Sequence, residues 1–106
     1  MLTVIETPVY LAWAEKVWHE EGERQEFVNW IAAHPDAGKV IEETGGLRKV
    51  RWKRQGTSKS SGARVIYYLR PKRGEVVLLL AYAKSKFDNL RPQFLRKLKE
   101  SYEDDE

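Results

Sequence analysis

Apolar positions change their rhythm near the middle of the chain. Up to residue 34 they recur at helical intervals, and from Leu47 they alternate or run together. Thr3 to Glu6 reads as a short first strand. Thr7–Pro8 predicts a helix start, with Thr as N-cap and Pro at the first helical position. Val9, Tyr10, Trp13 and Val17 follow at helical spacing, and Gly22 breaks the helix. A second helix is expected from about Glu23 to Ala33, burying Phe27, Val28 and Ile31, with glutamates in its first turn to suit the dipole. His34–Pro35 stops it. "PDAGKVIEETGG" reads as a short turn of helix and a loop, with Gly45–Gly46 as a hinge.

From Leu47 the period is two. In "LRKVRWKR", Lys49, Arg51 and Lys53 fall on one face and Val50 and Trp52 on the other. Gln55 to Gly62 predicts a hairpin loop, and "ARVIYYLR" a strand rich in β-branched and aromatic residues. Pro71 to Gly74 turns the chain. "EVVLLLAYA", Glu75 to Ala83, is nearly continuous apolar, as befits a central strand covered on both faces. "KSKFDNLRP" is a polar connection. Pro92 opens a last helix with Phe94, Leu95 and Leu98 on one side and Arg96, Lys97 and Lys99 on the other, and its acidic end is expected to fray. The order β-α-α-β-β-β-α gives an α+β domain. Two N-terminal helices and one C-terminal helix pack on a small antiparallel sheet, unlike a βαβ nucleotide-binding layout.

Composition narrows the class. A chain of 106 residues with 42% hydrophobic residues, four Trp, five Tyr and three Phe is expected to form one globular domain. The absence of Cys excludes disulfides, a thiol nucleophile and zinc–thiolate sites, and fits a reducing cytoplasm. No stretch matches a membrane span of about 18 apolar residues, and "MLTVIETPVYLAWAEK" lacks the plan of a signal peptide.

The net charge of +3 conceals a segregation. Residues 1–46 carry −6, residues 47–99 carry +14, and residues 100–106 carry five acids and no base. Gly45 to Tyr68 holds seven cations and no carboxylate. A basic block of this density attracts polyanions, whereas a solvated face ordinarily mixes signs.

Several chemistries drop out. There is no phosphate-cradling glycine loop or dinucleotide fingerprint. His19 and His34 lack metal-ligand spacing and read as ordinary surface or boundary histidines. Ser58, Ser60 and Ser61 are turn residues, and the basic half offers only Glu75 and Asp88 as carboxylates. No cofactor or metal is called for. What remains is the sheet face. If the strands pair as a meander, Lys49, Arg51, Arg64 and Lys84 converge, with Tyr68 and Tyr82 near them as candidates to meet an unpaired base or the leaving group. Core packing accounts for the two tyrosines equally well. Arg48, Lys53, Arg54, Lys59 and Lys86 extend the basic surface available to RNA. Lys53, Arg54, Arg70, Lys72 and Arg73, each taken singly, read more simply as solvated charge. Trp13, Trp52, Tyr67 and Phe94 read as core, and Trp18 and Trp30 as partly exposed. Cations on such a face neutralise phosphates. RNA also carries its own nucleophile, the 2′-OH. A lysine crowded by cations can accept its proton, and arginines can hold the charge that develops on phosphorus, without a metal.

"GGLRKVRW", a Gly/Ser/Lys loop, "GARVIYY" and "LLLAYAKSKFDNL" before a Pro-started helix together resemble the HigB-type branch of the RelE toxin superfamily, over Thr44 to about Leu98. The resemblance implies a RelE-like fold and the toxin of a type II toxin–antitoxin system. Such toxins are metal-independent mRNA endoribonucleases that work on the ribosome in the cytoplasm. A cognate helix-turn-helix antitoxin (HigA-type) neutralises them. It assigns Lys49 and Arg51 to the basic pair of the family's second strand, Arg64 to the arginine of the third, and Lys84 or Lys86 to the basic residue after the fourth. The strand lysines then serve as base and phosphate contacts, and the arginines hold the transition-state phosphate. Phe87 and Arg91 stand where RelE has its C-terminal tyrosine, and no histidine follows His34, so the general acid stays open. "NLRP" also lacks the usual Ser or Thr cap. ParE-like relatives share the fold but poison DNA gyrase, and a relative that only binds RNA or antitoxin is a third possibility.

Overall fold

A five-stranded sheet forms the middle of the molecule, in the order β1-β5-β4-β3-β2. The computed structural model describes residues 2–52, 62–83 and 90–105. Its elements are β1 (Thr3–Glu6), α1 (Pro8–Val17), α2 (Glu21–Ala33), β2 (Lys39–Val40), β3 (Arg48–Trp52), β4 (Ala63–Arg70), β5 (Glu75–Ala83) and α3 (Pro92–Asp104). No helix among the described residues is long and apolar enough to cross a membrane.

The class is α+β as expected, but the sheet is mixed rather than wholly antiparallel. β1 runs parallel to β5, Thr3 opposite Glu75 and Glu6 opposite Leu78. The strands β2 to β5 pair antiparallel. Thr7 explains how β1 gives way to α1. Its Oγ1 accepts from the Tyr10 N–H at 3.2 Å and donates to the Leu78 carbonyl at 2.8 Å, so one buried side chain both caps the helix and ties it to β5. α1 then packs against β5.

Both sheet faces are apolar. Tyr10, Ala14, Val17, Trp18, Phe27 and Ile31 of the first two helices meet Val50, Val65, Tyr67, Val76 and Leu78 on one face. Leu95 of α3, with Leu98 and Tyr102, meets Ile66, Tyr68, Leu80 and Tyr82 on the other. β5 is buried on both faces, as its run of apolar residues requires, although β4 holds the middle place. Ile66 lies opposite Leu80 while Tyr67 lies opposite Leu78, so Leu79 is an extra residue on β5. This bulge puts Leu79 and Leu80 in the same layer.

Other departures are local. Residues 39–40 form a short strand against β3 where a turn of helix and a loop were expected. Two residues are too few to display alternation. α2 begins at Glu21, so Gly22 lies in its first turn instead of between the helices. Val9 is exposed, and so is Phe94, at 45%, because the inward stripe of α3 is Leu95, Leu98 and Tyr102. Trp18, expected to be partly exposed, is buried against Phe27 with ring centroids 5.6 Å apart. α3 stays helical to Asp104 rather than fraying.

Candidate functional site

Strand pairing decides which cations share a face, because residues directly opposite across a ladder point the same way. Lys39 of β2 stands opposite Lys49 of β3. Arg51 of β3 stands opposite Arg64 of β4, which in turn stands opposite Tyr82 of β5. Lys49 and Arg51 are two residues apart on one strand, so Lys39, Lys49, Arg51, Arg64 and Tyr82 belong to one face. Two like-charged cross-strand pairs thus sit side by side. Each costs up to about 1 kcal/mol in a sheet with no anion to share.

Among the described residues no carboxylate lies within ion-pair distance of Lys39, Lys49, Arg51 or Arg64. Arg64 is 97% buried, with 3% of its surface exposed. Among those residues its guanidinium reaches only the carbonyls of Gly62 and Ala63, at 3.5 and 3.4 Å, both long for such bonds. Lys39, Lys49 and Arg51 are exposed.

Other cations are spent on the fold. Arg48 points to the opposite face from Lys49 and donates to the Gly38 carbonyl at 2.8 Å, holding the approach to β2. Arg70, expected as solvated charge, pairs with Glu75 at 3.4 Å and lies over the Tyr68 and Tyr102 rings. Arg96 donates to the Glu43 carbonyl and Lys99 to that of Gly45, which seats α3 on the loop before β3. Glu43, Gly45 and Gly46 all take the left-handed conformation there.

Tyr68 is placed apart from the cation row. It is buried beneath α3, where its hydroxyl donates to Glu103 at 3.3 Å and accepts from Arg70 at 3.0 Å, while Lys99 covers its ring. Its ring therefore packs protein rather than a base. Burial pushes its pKa up to about 12, against the lowering influence of Arg70. Tyr82 is buried beside Arg64. Lys53, Arg54, Lys59, Lys84 and Lys86 lie outside the described residues.

Lys39 is the cation that the sequence did not bring forward, because its segment shows no strand period. It also lines a groove of 730 Å³ with Trp30, Ala37, Val40, Ile41, Lys49, Val50 and Arg51. Trp30 is partly buried between Trp52 and His34, with centroids 5.2 and 5.1 Å away. Among the described residues no cluster of His, Asp or Glu is arranged to hold a metal ion. No protein-family model matches the chain.

Proposed function

We propose that the chain is a RelE-like, HigB-type toxin that cleaves mRNA on the ribosome and is neutralised by a helix-turn-helix antitoxin. The observation that carries this reading is the Arg51–Arg64 pair. Two guanidinium groups directly opposite one another, one of them buried with long local contacts, are costly in a resting sheet and matched to a phosphate. The sequence resemblance assigns these same positions to the phosphate-handling row.

The chemistry follows from RNA itself. The 2′-oxygen attacks the adjacent phosphorus and the bond to the 5′-oxygen breaks, leaving a 2′,3′-cyclic phosphate and a 5′-hydroxyl. Lys49 receives the 2′-OH proton. Arg51 and Arg64 hold the phosphate oxygens and stabilise the added charge of the phosphorane, an effect of the oxyanion-hole kind. The departing 5′-oxygen takes up a proton from water to become the 5′-hydroxyl, and Tyr82, opposite Arg64 in register, is a phenol on the same face.

Arg64→Ala is expected to lower ribosome-dependent cleavage by about 10²-fold or more, the scale of losing one transition-state contact. Antitoxin binding should survive. Primer extension on mRNA from translating ribosomes reads the outcome. Intact mRNA with the wild-type protein, accompanied by gyrase inhibition, would overturn the nuclease reading in favour of a ParE-like poison.

A further inference from the structure

The groove beside β3 combines features that the cleavage chemistry does not use. β2 pairs with β3 only at Lys39–Lys49 and Val40–Arg48. The Ile41 N–H donates to the Leu47 carbonyl at 2.8 Å, which makes residues 41 and 47 a hydrogen-bonded pair. Such pairs alternate in an antiparallel ladder, so Leu47, Lys49 and Arg51 all turn their backbone N–H and C=O toward the β2 side. At Lys49 these groups meet β2. At Arg51 no described residue meets them, because the chain before β2 turns away at Gly38, whose N–H is held by the Tyr67 hydroxyl at 2.8 Å. Beyond Lys49 no described strand pairs with this edge.

The Arg51 backbone therefore presents a donor and an acceptor side by side on the groove wall. The rest of the lining is apolar (Ala37, Val40, Ile41, Val50 and the edge of Trp30) or cationic, with no carboxylate. Val40 is 57% exposed, so the apolar part is open to a ligand.

We infer that this groove is a subsite for one unpaired nucleotide of the RNA strand, next to the phosphate held by Arg51 and Arg64. The base enters the apolar part and its edge, which carries adjacent donor and acceptor groups in every nucleobase, meets the Arg51 N–H and C=O. Its phosphate is held by Lys39. His34 stacks on the Trp30 ring and Trp52 lies tilted against it at 45°, so the indole is already engaged by protein and is not counted as a stacking platform. This assignment rests on the reading that the face handles RNA. An acidic peptide added as an extra strand would use the same edge and charge, but it leaves the apolar pocket between the cations without a purpose.

Hexaadenylate binding to the full chain, followed by tryptophan fluorescence, tests the subsite separately from cleavage. Val40→Glu is expected to weaken binding at least about tenfold, because a carboxylate enters the pocket beside the phosphate. Lys39→Ala is expected to weaken it less and to flatten the dependence of log K on log salt by about 0.7. Both side chains are exposed, so circular dichroism should be unchanged. Unaltered hexaadenylate affinity in both variants overturns the subsite and leaves the nuclease reading standing. Loss of binding in the variants of a protein that cleaves no mRNA overturns the nuclease reading and keeps the subsite. Tighter binding of hexaglutamate than of hexaadenylate assigns the groove to an acidic peptide and overturns the proposal.

Discussion

Gly38 shows how much of the site depends on one missing methyl group. A Cβ at this position would lie 2.7 Å from the ring and hydroxyl of Tyr67, which is wholly buried. The close approach lets the Tyr67 hydroxyl accept from the Gly38 N–H at 2.8 Å and donate to the Pro35 carbonyl at 2.7 Å. These bonds swing the chain clear of β3 just before Lys39. Gly38→Ala is expected to cost about 1–3 kcal/mol, the usual scale of overpacking, read as a lower urea midpoint with an unchanged slope. Nothing in "PDAGKV" announces this role, since the partner is 29 residues away. The cations of β3 and β4 were legible because alternation alone puts Lys49 and Arg51 on one face. That Arg64 is buried was not legible, since burial depends on what packs above it.

The helix α3 is held to the sheet by its apolar stripe and by a polar clasp. Leu95 is its one buried residue, and Tyr68, Arg70, Glu75 and Glu103 form the network behind it. Tyr68 gives this clasp a pH dependence whose sign can be worked out. Its pKa in the folded protein is raised to about 12 from the ordinary value of 10.0, chiefly by burial. The folded state thus holds a proton that the unfolded state releases sooner. That contribution to stability is complete below pH 10 and is lost as pH rises toward about 12. Urea unfolding at pH 8, 10 and 11 should show the midpoint falling only in the alkaline range. The fall should be shallower in Tyr68→Phe. Tyr10 and Tyr67, also raised by burial, add to the slope that remains. At this scale the sequence foretold all three helices: Pro8 and Pro92 mark the starts of α1 and α3, and the helical spacing of Phe27 and Ile31 marks α2. It did not foretell β2, which is shorter than one period, or the parallel seating of β1, which no local pattern encodes. The misassigned Phe94 sits one residue off the Leu95–Leu98–Tyr102 stripe, a difference only packing resolves.

Over the whole molecule, the segregated charge of the sequence becomes a division of labour. Arg24, Arg48, Arg70, Arg96 and Lys99 brace the fold through carboxylates and carbonyls. Lys39, Lys49, Arg51 and Arg64 are left facing one way. If phosphates are their counterpart, binding to ribosomes should fall steeply with salt, by about 0.7 in log K per log unit of salt for each single-strand phosphate contacted. Sedimentation with ribosomes over a salt series measures this, and salt-insensitive binding would move the docking face elsewhere on the molecule.

The pairing of β1 with β5 has a consequence for the order of events during synthesis. Thr7 meets Leu78 across 71 residues of chain, so loop-closure entropy must be met before either end gains its contacts. The β3–β4 hairpin is local and can close early, but Arg64 has no partner strand on its other side until β5 arrives with Tyr82 opposite it. A nascent chain lacking β5 has no place for β1 and no strand for α1 to pack against. The face that gathers Lys39, Lys49, Arg51 and Arg64 is therefore completed late in translation, once β5 has paired with β4, rather than growing with the chain.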